Sequence, residues 1–390
     1  MKTTPYFILT LLTFTMLAFL PNSFAQDDTS EYVVRVIYFY PNDIEPQESV
    51  PATLSSLVKD VQKFFADEME RHGFDRKTFK LETDENDQLI VQQVIGKFDN
   101  THYYTHYYGD PSRYGAAETE INDKIDRSKN VIYLSWIDLY NPNTVEFQIS
   151  GIGSGSSSKG RVLLRSTNFD FANIERIPQN HYIRAWTVIF HELGHAFGLN
   201  HDFRNDVYIM SYGAAPDQLS YCAAKWLRTH RYFNTNETAI NDNTMIKMLT
   251  PEVNSTQISI RLKFEIADPD GLHHAMLITQ AAQGLIDCKE LSGYSSTVEF
   301  VTTNITADST VVSLGVMDSH GNFKTGKFSV SISSFLASKV VPIPDANLAK
   351  AVHEALALTP TTSITQLDML KLTTLKRSEK QEHEIFLNTR

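Results

Sequence analysis

The sequence predicts an α/β domain followed by an all-β sandwich, Ig-like in outline, and a short helical segment. Three observations predict this order. Between residues 32 and 140, apolar runs rich in β-branched and aromatic side chains alternate with a helix-spaced pattern. From 257 to 332 the chain becomes a series of short alternating strands broken by Asp, Gly, Asn and Ser, the pattern of a sandwich. From 341 a proline-bounded stretch returns to helical spacing. A length of 390 residues allows two or three domains, and a hydrophobic fraction of 42% supplies their cores.

In chain order, Lys2 precedes an apolar run from Tyr6 to Leu20, then Pro21 and the small-x-small triplet Ser23-Phe24-Ala25. This reads as a signal peptide over residues 1–25, cleaved after Ala25, and the run is short for a membrane span. The expectation is an exported protein, secreted or periplasmic, with no transmembrane segment after cleavage. Within 26–236, Tyr32 to Tyr40 reads as a buried strand, and Ala52 to His72 as a helix with Leu54, Leu57, Val58, Val61, Phe64, Phe65 and Met69 at helical spacing. Two strands, Thr78 to Glu82 and Leu89 to Val94, a helix from Ala116 to Ile125 and a strand from Asn130 to Tyr140 follow. The tyrosine-rich stretch from His102 to Tyr108 reads as strand or loop. His102 and His106 have i,i+4 spacing but no carboxylate follows His102, so no metal is expected there. Gly151 to Gly160 reads as a flexible surface loop.

Net charge is −11, from 35 Lys and Arg against 46 Asp and Glu, and no basic block stands out, which excludes nucleic acid as a partner. The two cysteines, Cys222 and Cys288, fall in different predicted domains and are expected as separate thiols.

The chemistry is concentrated in one stretch, His191-Glu192-Leu193-Gly194-His195-Ala196-Phe197-Gly198-Leu199-Asn200-His201. On a helix predicted from Asn180 to Leu199, His191 and His195 share a face one turn apart. Gly198 accepts a positive φ and lets the chain turn. His201 can then return as a third nitrogen ligand, and three protein ligands leave one tetrahedral position open, the catalytic zinc arrangement. Glu192 lies within reach of a water at that position. Trp186, Phe190, Leu193 and Phe197 form an apolar stripe assigned to the core.

The pattern H-E-x-x-H-x-x-G-x-x-H resembles the metzincin clan of zinc endopeptidases. Tyr208-Ile209-Met210-Ser211-Tyr212-Gly213 resembles that clan's Met-turn, with Met210 packing beneath the histidines. The resemblance spans roughly Glu31 to Phe233 and implies a metzincin-like catalytic domain, matrixin- or reprolysin-like, holding one Zn2+ through His191, His195 and His201. It implies Glu192 as general base. Tyr212 matches the tyrosine of astacin- and serralysin-like branches, either bonding the oxyanion, ligating zinc or packing behind the turn. Asp202 matches the reprolysin-like residue that fixes the loop. Arg161 to Arg165 is expected as the strand bordering the substrate cleft.

Leu219 to Phe233 reads as a helix, with His230 solvated or capping, and Asn234 to Asn243 as a linker to a sandwich over 251–336. Its acidic turn Asp268-Pro269-Asp270-Gly271 is read as a tight turn rather than a calcium site. Residues 341–375 resemble the helical lead-in of leucine-rich repeats, without the repeats, and 376–390 read as a disordered tail. The function expected is a secreted zinc endopeptidase acting on protein or peptide. The alternative is an exported binding or adhesion protein with a vestigial zinc site, which the intact Glu192 disfavours.

Overall fold

The computed structural model describes residues 31–365 except 47, 110–114, 126, 129, 172–177, 214–215, 235–242, 255–258, 281–283, 303–308 and 332–339, together with 368, 369 and 372. The signal-peptide and tail expectations, and most of the expected linker, lie outside these residues. Strand β1 (Val33–Tyr40) is the centre of the N-terminal half. Its period-2 alternation feeds two cores. Val34, Val36, Tyr38 and Tyr40 join the main core with helix α1 (Val50–Arg71), while Ile37 and Phe39 join a second one on the opposite face. β1 pairs in parallel with β2 (Lys80–Leu81), β3 (Val91–Ile95) and β4 (Val131–Leu139). β4 pairs in parallel with β6 (Gly160–Thr167), and β5 (Gln148–Gly155) closes the sheet as an antiparallel edge. Helices α2 (Asn100–Gly109) and α3 (Gly115–Lys124) cover the second face through Tyr103, Ala117 and Ile121. Helix α4 (Gln179–Ala196) lies with α1 on the first face, joined by aromatic contacts: Phe64 stacks on Phe190 at 5.1 Å, and Phe65 meets Phe197 edge-on at 5.8 Å.

Three expectations are corrected here. The tyrosine-rich stretch is helix α2. Asp99 accepts a hydrogen bond from the His102 amide (2.9 Å), capping the first turn, and Tyr103 is buried with its hydroxyl on Glu120 (2.6 Å). The glycine-serine stretch is mostly strand: β5 runs through Gly151, Gly153 and Gly155 and pairs with β6 residue for residue. Arg161 to Arg165 belongs to β6, which is interior between β4 and β5, so the open edge falls to β5.

After the short helix α5 (Tyr221–Leu227), capped by Ser220, the chain enters two four-stranded antiparallel sheets. One orders β11 (Gly284–Glu290), β10 (Leu272–Thr279), β13 (Ser309–Asp318) and β14 (Phe323–Ser331). The other orders β12 (Ser295–Thr302), β9 (Ser259–Ala267) and β7 (Met245–Met248), with β8 (Glu252–Asn254) also on β9. Alternate residues of both, among them Leu262, Phe264, Leu277, Phe300 and Leu314, share one core. The mixed α/β part and the strand-rich C-terminal part thus follow the expected order. Helix α6 (Ala346–Ala355), capped by Asp345, occupies part of the expected helical segment.

The two parts are not beads on a string. Met276, Ile278, Leu285 and Met317 of the C-terminal sheets extend the main core of the N-terminal half. Cys222 of α5 and Cys288 of β11 form a disulfide, Cα–Cα 5.9 Å, correcting the expectation of separate thiols. Assigning the two residues to separate domains concealed that β11 packs directly on α5. The bridge closes a loop of 66 residues, worth roughly 4 kcal/mol in chain entropy.

His230 corrects the solvated alternative: it is fully buried, its Nδ1 accepting weakly from the Tyr232 amide (3.4 Å), between the rings of Phe197, Tyr232 and Phe323. His274 is equally buried beside Trp226, and neither ring nitrogen has a hydrogen-bond partner among the described residues. Burial holds both imidazoles down to about 3. In the unfolded chain they titrate near 6.5, so below that pH the unfolded state binds protons that the native state refuses. Stability is complete above about pH 6.5 and drains as pH falls towards 3. At pH 5 the expected loss is roughly 2 kcal/mol per histidine relative to pH 7. Urea unfolding across that range, on the wild type and on His274→Phe, checks this: the variant should show a shallower pH dependence.

Candidate metal centre

Helix α4 buries Ala185, Ile189, Phe190, Leu193 and Ala196, and Trp186 packs half-buried on Phe64 at 5.2 Å. This anchors one face and leaves His191, Glu192 and His195 on another. The helix ends at Ala196 rather than at the predicted Leu199, because Gly198 turns the chain out of it. The Gly198 amide donates to His195 O (3.0 Å) and the Leu199 amide to Gly194 O (2.9 Å), a Schellman turn with Gly198 at φ +80°. The chain then doubles back and brings His201 to the other two histidines. Ring centroids lie 4.8 Å apart for His191 and His195, 4.7 Å for His195 and His201, and 5.3 Å for His191 and His201.

The orientations matter more than the proximity. His191 Nδ1 donates to Ile209 O at 2.7 Å, and His195 Nδ1 donates to Leu199 O at 2.9 Å. Each bond fixes the tautomer and leaves Nε2 as a lone pair. His195 Nε2 and His201 Nε2 face each other at 3.2 Å, and one nitrogen from each of the three rings falls within 4.8 Å of the others. Tetrahedral ligands at zinc distances sit ~3.3 Å apart. Burial lowers the pKa of His191 and pushes that of His195 down to about 4, so both imidazoles are neutral, as metal ligation requires. The donor set fits a divalent transition metal of the zinc type.

Glu192 is 9% exposed. Burial raises its carboxyl to about 7, while a hydrogen bond from the Gly153 amide of β5 pulls the other way. Met210 is buried under the helix, its sulfur so near Gly194 that a Cβ there would clash with it. The Tyr208-to-Gly213 turn therefore supports the site at two points: Ile209 O holds the His191 ring, and Met210 O accepts from the Asp202 amide (2.9 Å). Asp202 is buried in a two-point ion pair with Arg204 at 2.7 Å, pinning the loop after His201. Tyr212 is 72% exposed, its hydroxyl 2.8 Å from His201 Nε2. Such exposure does not suit a residue packed behind the turn, and leaves the ring beside the cluster.

Sequence reading passed over the residues that hold α4 to the sheet. Gly151, Gly153 and Gly155 alternate along β5 facing the helix. A Cβ on Gly153 would lie 2.0 Å from Glu192 O, and one on Gly155 1.8 Å from Ala196 O. Three glycines at i, i+2 and i+4 were the available signal, since that spacing clears one face of a strand. A second group, Asp268, Asp270 and Asp318, also brings carboxylates within 4.8 Å of one another. Asp268 accepts from the Asp270 amide and the Thr244 hydroxyl, and Asp318 from the amides of His320 and Asn322, as turn residues do.

Among solved structures, the fold resembles OgpA from Akkermansia muciniphila. In a catalytically inactive form bound to an O-glycopeptide substrate, glycodrosocin, OgpA aligns with a TM-score of 0.56 at 15% identity, over 77% of this chain and 93% of that one. Wild-type OgpA aligns with a TM-score of 0.55 at 15% identity, over 77% and 94%. No protein-family model matches the sequence, and no curated protein does. The likeness covers both the α/β part and the strand-rich part, and it is one of fold.

The close approach of β5 to α4 makes a prediction. Gly153→Ala and Gly155→Ala must push the helix off the strand, and each should cost about 1–3 kcal/mol in urea unfolding. Ser154→Ala, on the opposite, exposed face of the strand, should stay within about 0.5 kcal/mol of wild type.

Proposed function

We propose that this chain is an exported zinc endopeptidase, secreted or periplasmic after removal of residues 1–25, with His191, His195 and His201 as ligands and Glu192 as general base. The observation that carries the reading is the convergence of three imidazoles, two of them held neutral by burial and locked by backbone carbonyls, beside a buried carboxylate on the same helix as those two. When bound, zinc polarises a water and the scissile carbonyl. Glu192 takes a proton from the attacking water and returns it to the leaving amine. The Gly153 amide orients that carboxylate from the strand side. Tyr212 offers its hydroxyl from the open side of the cluster, for the oxyanion or as a further ligand. The outer edge of β5, paired only with β6 among the described residues, offers main-chain groups to an extended peptide.

The fold neighbour binds an O-glycopeptide, which makes a glycosylated peptide the first substrate to try beside an unglycosylated one. The competing reading, a binding protein with a vestigial site, predicts binding without turnover. No helix among the described residues is long and apolar enough to cross a membrane, and this supports neither reading over the other.

The test uses the mature chain on casein and on an O-glycosylated peptide. Cleavage is expected, abolished by 1,10-phenanthroline and restored by zinc. Glu192→Ala should keep stoichiometric zinc and lose at least about 10²-fold in kcat. Cleavage at the wild-type rate by Glu192→Ala would remove that residue from the mechanism. Zinc binding without turnover on any peptide would favour the binding protein. A second expectation concerns Asp202→Asn. It loses the charge opposite Arg204 and should weaken zinc binding about 10-fold, read by competition with a chelator.

A further inference from the structure

The third histidine is held from outside the α/β half. After Gly198, the loop to His201 leaves the helix and meets the C-terminal sheets at two points. Phe323 of β14 packs over Gly198, its ring 2.7 Å from where a Cβ would be. At His201 itself, the Leu285 amide of β11 donates to His201 O at 2.7 Å, and Gly284 forms a parallel bridge with the same residue. β11 is an edge strand of its sheet, so its outward amides are open to such a partner. The pairing with β10 slips at this place: Leu277 faces Asp287 while Ile278 faces Leu285, leaving Ile286 as an extra residue. A bulge re-aims a strand locally, and this one lies next to the residue that reaches the loop.

The strand is clamped on both sides of that contact. Leu285 is buried in the main core beside Met276 and Ile278. Three residues on, Cys288 is bonded to Cys222 of α5. From α5, Trp226 donates to Phe197 O (3.1 Å), the last residue before the turn, and packs on Phe323 at 5.2 Å. The loop bearing His201 is thus tied at its start by Trp226 and at its end by Leu285, and the disulfide joins the two elements that carry them.

We infer that the strand-rich part is a structural component of the metal centre, with Leu285 as a positioning residue that sets the place of His201 through its backbone amide. The sheets are not an appended module: without β11, the loop after Gly198 loses the backbone bond at the ligand itself. The inference rests on the zinc reading proposed above, and it is tested by metal affinity rather than by turnover.

The experiment measures zinc dissociation constants of the full chain by chelator competition, together with Tm. Leu285→Pro removes the amide hydrogen. Cys222→Ser/Cys288→Ser unclamps the strand and carries the test if the proline variant fails to fold. Both are expected to bind zinc about 10-fold or more weakly. Phe300→Leu, in the core shared only by the C-terminal sheets, is the control, and should lower Tm while leaving zinc affinity within twofold of wild type. Wild-type affinity in the folded proline variant, or in the cysteine pair variant where the former does not fold, overturns the inference. So does an equal loss of affinity in Phe300→Leu, which would reduce the effect to general destabilisation. A wild-type chain that takes up no zinc removes the hydrolase reading itself, a different outcome from zinc binding that ignores Leu285.

Discussion

Everything at the histidine cluster depends on one tight reversal of the chain. Gly198 takes a positive φ, the two amides after the helix fold back onto His195 O and Gly194 O, and the next three residues deliver His201. A residue with a Cβ meets two obstacles there: the left-handed backbone and the Phe323 ring. The same turn therefore ends α4, returns the third imidazole and seats the C-terminal sheets. These are not separable tasks assigned to separate residues, which explains why the two halves of the molecule share a core.

The helix that feeds this turn is held with unusual closeness to the sheet. Backbone meets backbone along Gly153 and Gly155, with no side chain between. That contact brings the Gly153 amide onto Glu192 and keeps the acid largely out of water. Burial does the rest of the electrostatic work. It disfavours protonation of His191 and His195 and disfavours ionisation of Glu192, so burial favours the neutral form of each of these three side chains. Neutral imidazole donors with one acid beside them are a set that suits ligation of a dication.

Much of this was legible in the residues. The apolar runs at 33–40 and 131–139, the periodicity of 50–71 and the spacing of His191, His195, Gly198 and His201 each reflect local rules that tertiary structure did not override. What escaped reading came from contacts distant in sequence. β5 has few β-formers, and it is a strand because α4 presses on its glycines and β6 pairs with it. Helix α2 is tyrosine-rich and without an apolar stripe, and among its described side chains it stands on a cap at Asp99 and the buried ring of Tyr103. The cysteine pairing, the burial of His230 and the Leu285 contact all follow from docking the strand-rich part on the α/β part, which no local pattern encodes.

The bond between Cys222 and Cys288 has one more consequence. A scission of the main chain anywhere between those positions opens a ring instead of releasing a fragment. The molecule would persist as two polypeptides in one particle, of unchanged mass on a non-reducing gel and separable only after thiol treatment. That tolerance of nicking keeps β11, and with it the Leu285 amide, covalently joined to the fragment that carries His201, after damage that would let an unbridged chain come apart.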